Sequence, residues 1–311
     1  MGMKKIVKKI ILNNTLLYRL FRQVRFNLPV YIMGDEYIIK KKYKRVFGRK
    51  LNLENPQTLT EKIQWLKLNV HEDFHTICAD KYAARQIWRK YGEDGLIPLL
   101  FMTYNWQDIK EENIPDVPCI VKCNSGSGEY HIIREKNNVD YEKLRRNCKR
   151  WLAENYYYSS QEWQYKNIKP CIIIEKLLQD KNGKIPNDYK LHCINGKVEF
   201  VYCSVDREGE NYRSIYTPAW ERMNMEWVAP RDHKGYFGAD IEKPKTFSRM
   251  VDIAEDIAKS FAYVRVDFYD VDGKLYYGEI TLHHGSGFDT FEPNEYDSVY
   301  GEKLDLTGYK K

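Results

Sequence analysis

The stretch Tyr263-Val-Arg-Val-Asp-Phe-Tyr-Asp-Val-Asp-Gly-Lys-Leu-Tyr-Tyr-Gly-Glu-Ile-Thr-Leu-His-His-Gly-Ser-Gly287 decides how this chain is read. β-Branched and aromatic residues alternate with polar ones on both sides of Asp272-Gly273, which marks a hairpin. Side chains repeat every two residues along a strand, so Arg265 and Asp267 share one face, as do Tyr277, Glu279 and Thr281. A three-residue loop Val271-Asp272-Gly273 would pair Asp270 with Lys274 and Asp267 with Tyr277. Glu279 would then lie diagonal to Asp267, with backbones about 7–8 Å apart. Two carboxylates converging from adjacent strands repel unless a cation lies between them, and a hard divalent ion such as Mg2+ prefers such oxygens. The alternative is a solvent-facing hairpin whose acids are merely hydrated.

Apolar residues at 43% and charged residues at 30% describe a globular chain able to bury a full core, not a disordered one. No apolar run approaches the ~20 residues of a membrane span, and no secretory cleavage pattern is seen. Seven cysteines, an odd number without a C-x-x-C pair, point to reduced thiols and a cytoplasmic protein. Cys119 and Cys123 lie in a strand-like run, which suits buried thiols better than a metal site. The 25 tyrosines are accounted for chiefly by packing.

Charge is unevenly spread. Residues 1–50 carry 14 Lys/Arg against 2 Asp/Glu, a net of +12, so the whole chain's +6 leaves −6 on residues 51–311. A nucleic-acid enzyme would carry its basic groove through the body, so nucleic acid is not an expected partner. Residues 3–26 form a basic amphipathic segment with Ile6, Ile10, Leu17, Leu20, Phe21 and Val24 in a helical stripe. It reads either as a helix lying on anionic lipid or as one packed on its own protein. Lys40-Lys-Lys-Tyr-Lys-Arg45 is a solvated basic patch.

Thr58-x-x-Glu61 is a capping box that opens a helix with Leu59, Ile63 and Leu66 inward and Trp65 beside them. Ala79–Trp88 starts a second helix, with Lys81 in its first turn. A cation there is misplaced against the helix dipole unless an anion is shared with the backbone N–H groups. In Pro118-Cys-Ile-Val-Lys-Cys-Asn-Ser-Gly-Ser-Gly-Glu-Tyr130, Ile120, Lys122 and Asn124 line one strand face and Cys119, Val121 and Cys123 the other. A lysine running into a small-residue loop suits a phosphate clamp, though not a Walker loop, since no Gly-Lys-Ser/Thr follows. An edge-strand lysine before an ordinary turn is the plainer reading.

Residues 140–155 read as a helix with Leu144, Cys148 and Trp151/Leu152 inward, and Cys171–Leu178 as a buried strand. Asn187–Asp206 forms a hairpin around Asn195-Gly196, with Asp188, Lys190 and His192 on one face. Residues 207–246 look irregular, suited to a substrate loop or lid. Residues 248–261 read as a helix capped by Ser248, and the chain after the central hairpin as packing.

In this order the pieces resemble the ATP-grasp superfamily, and in detail its TupA-like family of bacterial polysaccharide loci. The likeness covers residues 52–305. Its most specific pieces are Asn55-Pro-x-Thr-x-x-Glu-Lys-x-x-Trp65, Asp80-Lys81, Val121-Lys122-x-Asn124-x-Gly-Ser-Gly128, Asp188-Tyr-Lys190, Arg265-x-Asp-Phe-Tyr269 and Gly278-Glu-Ile-Thr281. The resemblance implies an α+β, ATP-grasp fold. Two α+β lobes with mainly antiparallel sheets would clasp ATP between them, at residues 51–170 and 171–311, behind a helical basic extension at 1–50.

By the same resemblance, Lys81 and Lys122 match lysines that hold ATP phosphates, and Ser125, Gly126, Ser127 and Gly128 the mobile loop over them. Glu175, with the backbone of Lys176 and Leu178, matches the adenine–ribose hinge. Asp267 and Glu279 match the Mg2+ carboxylates. Thr281 stands where the wider superfamily usually has Asn, a departure that bears on the number of metal ions. Arg265 matches an arginine that stabilises a tetrahedral intermediate, with His284 or a backbone N–H near Gly285 beside it. His283 is a candidate base for the amine proton. Lys190 would sit near the γ-phosphate, with Asp188 orienting it or the acceptor.

The implied reaction is ATP-dependent ligation of a carboxylate to an amine through an acyl phosphate. The expected carboxylate is a uronic acid of a surface polysaccharide or its lipid-linked precursor, and the amine an amino acid or other small amine. Competing readings are a sugar kinase, a glycosyltransferase and a non-catalytic scaffold on the membrane. The glycosyltransferase would need a Rossmann-like repeat and an Asp-x-Asp metal site, whereas Asp270-Val-Asp272 is better used as a turn.

Overall fold

The structure is a computed structural model that describes residues 14–209, 211–232 and 240–309. Ile6 and Ile10 of the N-terminal stripe, and residues 210 and 233–239 of the expected lid, lie outside those residues. The chain forms two compact units. One takes in the described residues up to Ile38, Asp80–Tyr82 and Pro98–Leu177; the other takes in Ile39–Ala79, Ala83–Ile97 and the chain from Leu178 onward.

The first unit is built on a four-stranded antiparallel sheet of β1 (Leu99–Thr103), β2 (Cys119–Cys123), β3 (Tyr130–Ile133) and β4 (Ile172–Lys176), in the order β1-β4-β2-β3. Alternation works as the sequence suggests. Cys119, Val121 and Cys123 turn inward with Ile172 and Ile174 and meet Leu144, Cys148 and Trp151 of the helix Tyr141–Leu152. The opposite face carries Lys122. Although a boundary at 170/171 would give β4 to the later lobe, β4 lies between β1 and β2, because its run of buried isoleucines completes this core.

The second unit holds a six-stranded antiparallel sheet in the order β11-β10-β5-β6-β7-β8. Its strands are β5 (Asp188–Ile194), β6 (Lys197–Val205), β7 (Tyr212–Tyr216), β8 (Arg222–Met223), β10 (Tyr263–Val271) and β11 (Lys274–Thr281). A short ladder pairs β9 (Glu226–Val228) with β12 (Thr290–Glu292). One face of the six-stranded sheet packs Leu191, Val201, Val264, Val266 and Ile280 against Met250, Ile253, Ala254 and Ile257 of the helix Phe247–Ala258. Within the expected lid, Tyr212-Arg-Ser-Ile-Tyr216 is a strand, since its two tyrosines and Ile215 favour extended backbone and find a paired edge on β6. All seven cysteines are buried free thiols, whose ionisation burial opposes.

Three local expectations change. The central hairpin closes through two residues, Asp272 and Gly273, both at positive φ (54° and 88°), so that Val271 pairs with Lys274 and Phe268 with Tyr277. A bulge follows, setting Gly278 and Glu279 together opposite Asp267. Glycine is required at 278: a Cβ there would lie 2.8 Å from the Asp267 carbonyl oxygen. The helix expected to be capped by Ser248 starts at Phe247, and Asp270 Oδ2 accepts from both Thr246 N (3.0 Å) and Thr246 Oγ1 (2.7 Å) at that end. Lys81 lies in a turn between the helices Asp73–Ala79 and Arg85–Trp88, not in a helical first turn.

Candidate active site

In the second unit, register brings the polar residues of β5 and β10 onto one face. His192 pairs with Arg265, Lys190 with Asp267 and Asp188 with Tyr269. Arg265 donates to Asp267 twice, Nε to Oδ1 at 2.7 Å and Nη2 to Oδ2 at 2.6 Å. Lys190 Nζ lies 3.5 Å from the same Asp267 Oδ2 and is in direct contact with Asp188, which Arg207 approaches to 3.9 Å. Glu279 Oε2 stands 3.7 Å from Arg265 Nη2. Positive and negative groups thus alternate along a buried strip. Asp267 is buried rather than hydrated, while Glu279 keeps part of its side chain in solvent.

Burial sets the energetics. It raises the Asp267 carboxyl above its ordinary value against the pull of Arg265 and Lys190, with Asp188 adding to the rise. Burial also opposes the Arg265 charge, yet Asp267, Glu279 and Asp188 together hold that guanidinium above its usual value. A divalent cation fits this donor set. Thr281, directly across from Arg265, keeps a buried Oγ1 without a hydrogen-bond partner, as does Asp188 at Oδ1. Oxygen donors with unmet capacity beside an incompletely compensated carboxylate suit a hard ion. Among the described residues no three His, Cys, Asp or Glu side chains converge on a metal position; the residues that would hold the ion are those the resemblance names, Asp267, Glu279 and Thr281, completed by non-protein oxygens.

His284, not His283, reaches this strip. Its Nδ1 lies 2.9 Å from Arg265 Nη1, and arginine only donates, so Nδ1 accepts and the proton sits on Nε2, 3.2 Å from Asp289 Oδ2. The ring stands among Trp227 (4.4 Å), His192 (5.0 Å) and Tyr202 (5.7 Å). His192 is fully buried, bonded through Nδ1 to the Tyr263 hydroxyl at 2.9 Å and stacked on Phe200 at 4.4 Å. Burial, then His284, Arg265 and Lys190, push its pKa well below the ordinary range. His283 instead lines a small pocket with His75, Leu66, Val70, Phe261 and Tyr309.

The turn that carries His284 has Gly285, Ser286 and Gly287 at φ 53°, 55° and 70°. It is held from the helix Leu59–Asn69. Gln64 Nε2 donates to Ser286 O (3.0 Å) and Gly287 O (2.7 Å), and the buried Lys67 Nζ donates to Ser286 O (3.0 Å).

In the first unit, Lys122 Nζ pairs with Glu175 Oε2 at 2.6 Å, joining the expected phosphate lysine to the expected hinge acid. Lys81 Nζ donates to Gly126 O at 2.6 Å, and its amide donates to Asn124 O at 3.0 Å. Gly126 and Gly128 take positive φ (94° and 81°), which lets the Ser125–Gly128 loop fold back over the strand end. Asn124 anchors that loop: its side chain accepts from Cys171 N (2.7 Å) and donates to Asp80 Oδ1 (2.9 Å) and Lys169 O (3.1 Å). At the strand end, the Lys176 amide bonds Pro98 O at 3.0 Å. Leu178 begins the second unit's share of the chain and is half-buried.

Residues 61–305 match the family described as TupA-like ATPgrasp. The chain belongs to this family. Among solved structures, it is similar to the ATP-grasp ligase PsnB complexed with a phosphomimetic variant of its minimal precursor, Mg and ADP, at 13% identity and a TM-score of 0.43, covering 76% of this chain and 60% of that one. D-alanine–D-alanine ligase from Bacillus anthracis complexed with ATP gives 16% identity and a TM-score of 0.42, covering 73% and 62%. D-alanine–D-alanine ligase from Helicobacter pylori gives 13% and 0.40, covering 74% and 61%. The chain thus spans about three-fifths of the length of these structures. No curated protein matches it.

For this ATP-grasp chain the sequence singled out Arg265, Asp267, Lys190, Asp188, Glu279 and His284, and the structure brings these together. Within the first unit, Lys81 meets the Ser125–Gly128 loop and Lys122 pairs with Glu175. Gln64, Lys67, Asn124 as an anchor, Arg207 and Asp289 were missed. The sequence holds no signal for Gln64 and Lys67, which flank the apolar stripe of Leu59, Ile63 and Leu66 where polar residues are ordinarily solvated.

Proposed function

We propose that this chain is an ATP- and Mg2+-dependent ligase that joins a carboxylate to an amine. The observation that carries the reading is the buried strip in which Arg265 grips Asp267 while Lys190 lies against both Asp267 and Asp188. Such fixed, water-poor charge suits a reaction in which negative charge migrates across a phosphoryl group and then onto an acyl oxygen.

The carboxylate oxygen would attack the γ-phosphorus of ATP, the bond to ADP breaking as the acyl phosphate forms. The amine nitrogen would then attack the acyl carbon, and inorganic phosphate would leave with the carbon–oxygen bond pair while the nitrogen sheds a proton. When bound at Asp267, Glu279 and Thr281, Mg2+ would supply charge neutralisation on the phosphate oxygens. Lys81, Lys122 and the Ser125–Gly128 backbone would bind the phosphates, and Lys190 the transferring group, with Asp188 orienting it. Glu175 and the Lys176–Leu178 backbone would hold adenosine. Arg265 would meet the acyl oxyanion, its guanidinium aimed by Asp267 and His284. His283, in a separate pocket, is given no part in the chemistry.

The substrates implied by the resemblance are a uronic-acid carboxylate of a bacterial surface polysaccharide, or of its lipid-linked precursor, and an amino acid or other small amine. A lipid-linked acceptor would place the enzyme at the cytoplasmic membrane face, which the basic N-terminus suits. No helix among the described residues is long and apolar enough to cross a membrane. The test is ADP release from Mg-ATP across a matrix of uronates and amines. Release that needs both substrates, with an amide in the product, is expected. Phosphate transfer to sugar without any amine would make the chain a kinase, and no turnover or nucleotide binding would leave a scaffold.

A further inference from the structure

The helix Thr15–Arg22 has one side docked on its own unit and one side turned outward. Asn14 caps it, accepting from Leu16 N (3.0 Å) and Leu17 N (3.2 Å). Its docked side is polar and aromatic. The Tyr18 hydroxyl bonds Glu154, and Arg22 reaches Glu154 Oε2 (3.4 Å) and Asn155 O (3.4 Å). The apolar side faces out: Leu16 is 76% exposed, Leu20 61% and Val24 58%, with Leu17 and Phe21 also exposed. Leu17, Leu20, Phe21, Val24, Arg25 and Pro29 line an open groove of about 430 Å³ on that side. A helix serving only its own fold would bury this stripe, since apolar area left in water forfeits its transfer free energy.

Charge selects the occupant. Residues 1–34 contain seven Lys/Arg and no Asp or Glu. Arg19 is exposed on the same helix and Arg25 is exposed at the groove that the apolar residues line, so cations accompany the apolar face as they do on a helix in the headgroup plane. Tyr31 and Tyr37, amphipathic rings that suit the interface, are exposed further along the same segment. A protein partner would need only the apolar groove, whereas an anionic leaflet uses the groove, the arginines and the acid-free stretch at once.

We infer that the Leu16, Leu17, Leu20, Phe21 and Val24 face lies in the surface of an anionic bilayer, with Arg19 and Arg25 on its lipid phosphates. The inference rests on the membrane-side placement proposed above and assigns its residues; it is independent of the ligation chemistry. The full-length protein is mixed with phosphatidylcholine vesicles with and without phosphatidylglycerol and sedimented. Wild type binds the anionic vesicles, Leu20→Glu/Val24→Glu binds at least about tenfold more weakly, and both turn over ATP alike in solution. Should the double variant bind as wild type does, while full-length protein with Lys4, Lys5, Lys8 and Lys9 changed to Gln does not, the basic segment alone reaches the membrane and the face assignment is wrong. If wild type ignores anionic vesicles, the placement and the face both fall. Dimers of wild type that the double variant splits would give the face to a second copy and overturn the inference.

Discussion

Arg265 and Asp267, two residues apart on one strand, are joined by two parallel hydrogen bonds of 2.7 and 2.6 Å. A lysine cannot reproduce that fork, because its ammonium is a point charge. Arg265→Lys is therefore expected to keep the strip's net charge and lower kcat by about 10²–10³-fold, as loss of a fixed oxyanion donor does elsewhere. Single-turnover rates with saturating substrates check this; a kcat within a few-fold of wild type would remove Arg265 from the chemistry.

Lys122→Ala and Glu279→Gln are each expected to abolish turnover while the chain still folds. Far-UV circular dichroism would match wild type. The nucleotide-dependent rise in Tm would separate them. Ligand at a hundred times its Kd stabilises a protein by about 2.7 kcal/mol, and Lys122→Ala should lose most of that gain with ATP. Glu279→Gln should lose only the increment that Mg2+ adds.

Gly287 packs against Gln64, and a Cβ there would meet Gln64 Nε2 at 2.5 Å on a backbone held at φ 70°. Gly287→Ala should cost on the order of 1–3 kcal/mol of stability through strain at a left-handed position. It should also lower kcat more than it raises KM, because the turn that sets His284 against Arg265 would shift. Denaturant unfolding paired with steady-state kinetics measures both, and an unchanged kcat would make the turn merely structural.

Burial, and then His283 and His71, bring the His75 pKa from 6.5 down to about 4. The unfolded chain takes up a proton near 6.5 that the folded chain refuses until about 4. This contribution is thus whole above 6.5 and is lost as pH falls through that window. His75→Leu should flatten the fall of Tm between those values relative to wild type. A parallel fall in both would show that His75 is not the group responsible.

Much of this was written locally. The alternation of Arg265 and Asp267, the polar face of Asp188, Lys190 and His192, the Asn195-Gly196 turn, the Thr58–Glu61 capping box and the inward side of Cys119–Cys123 follow from periods of two and 3.6 and from turn chemistry. Those rules need only near neighbours, so the sequence by itself determined these elements and which of their residues share a face.

Tertiary structure decided what depends on distant partners. The bulge that sets Glu279 beside Asp267 comes from Gly278 closing on another strand's backbone, which no two-residue period announces. Gln64 meets Ser286 across 222 residues and Lys122 meets Glu175 from a neighbouring strand, and those pairings follow from packing rather than spacing. The N-terminal helix shows the division most plainly. Its sequence carries an apolar stripe and arginines, but only the docking of Tyr18 and Arg22 on Glu154 turns the stripe outward, because a helix can satisfy one face at a time.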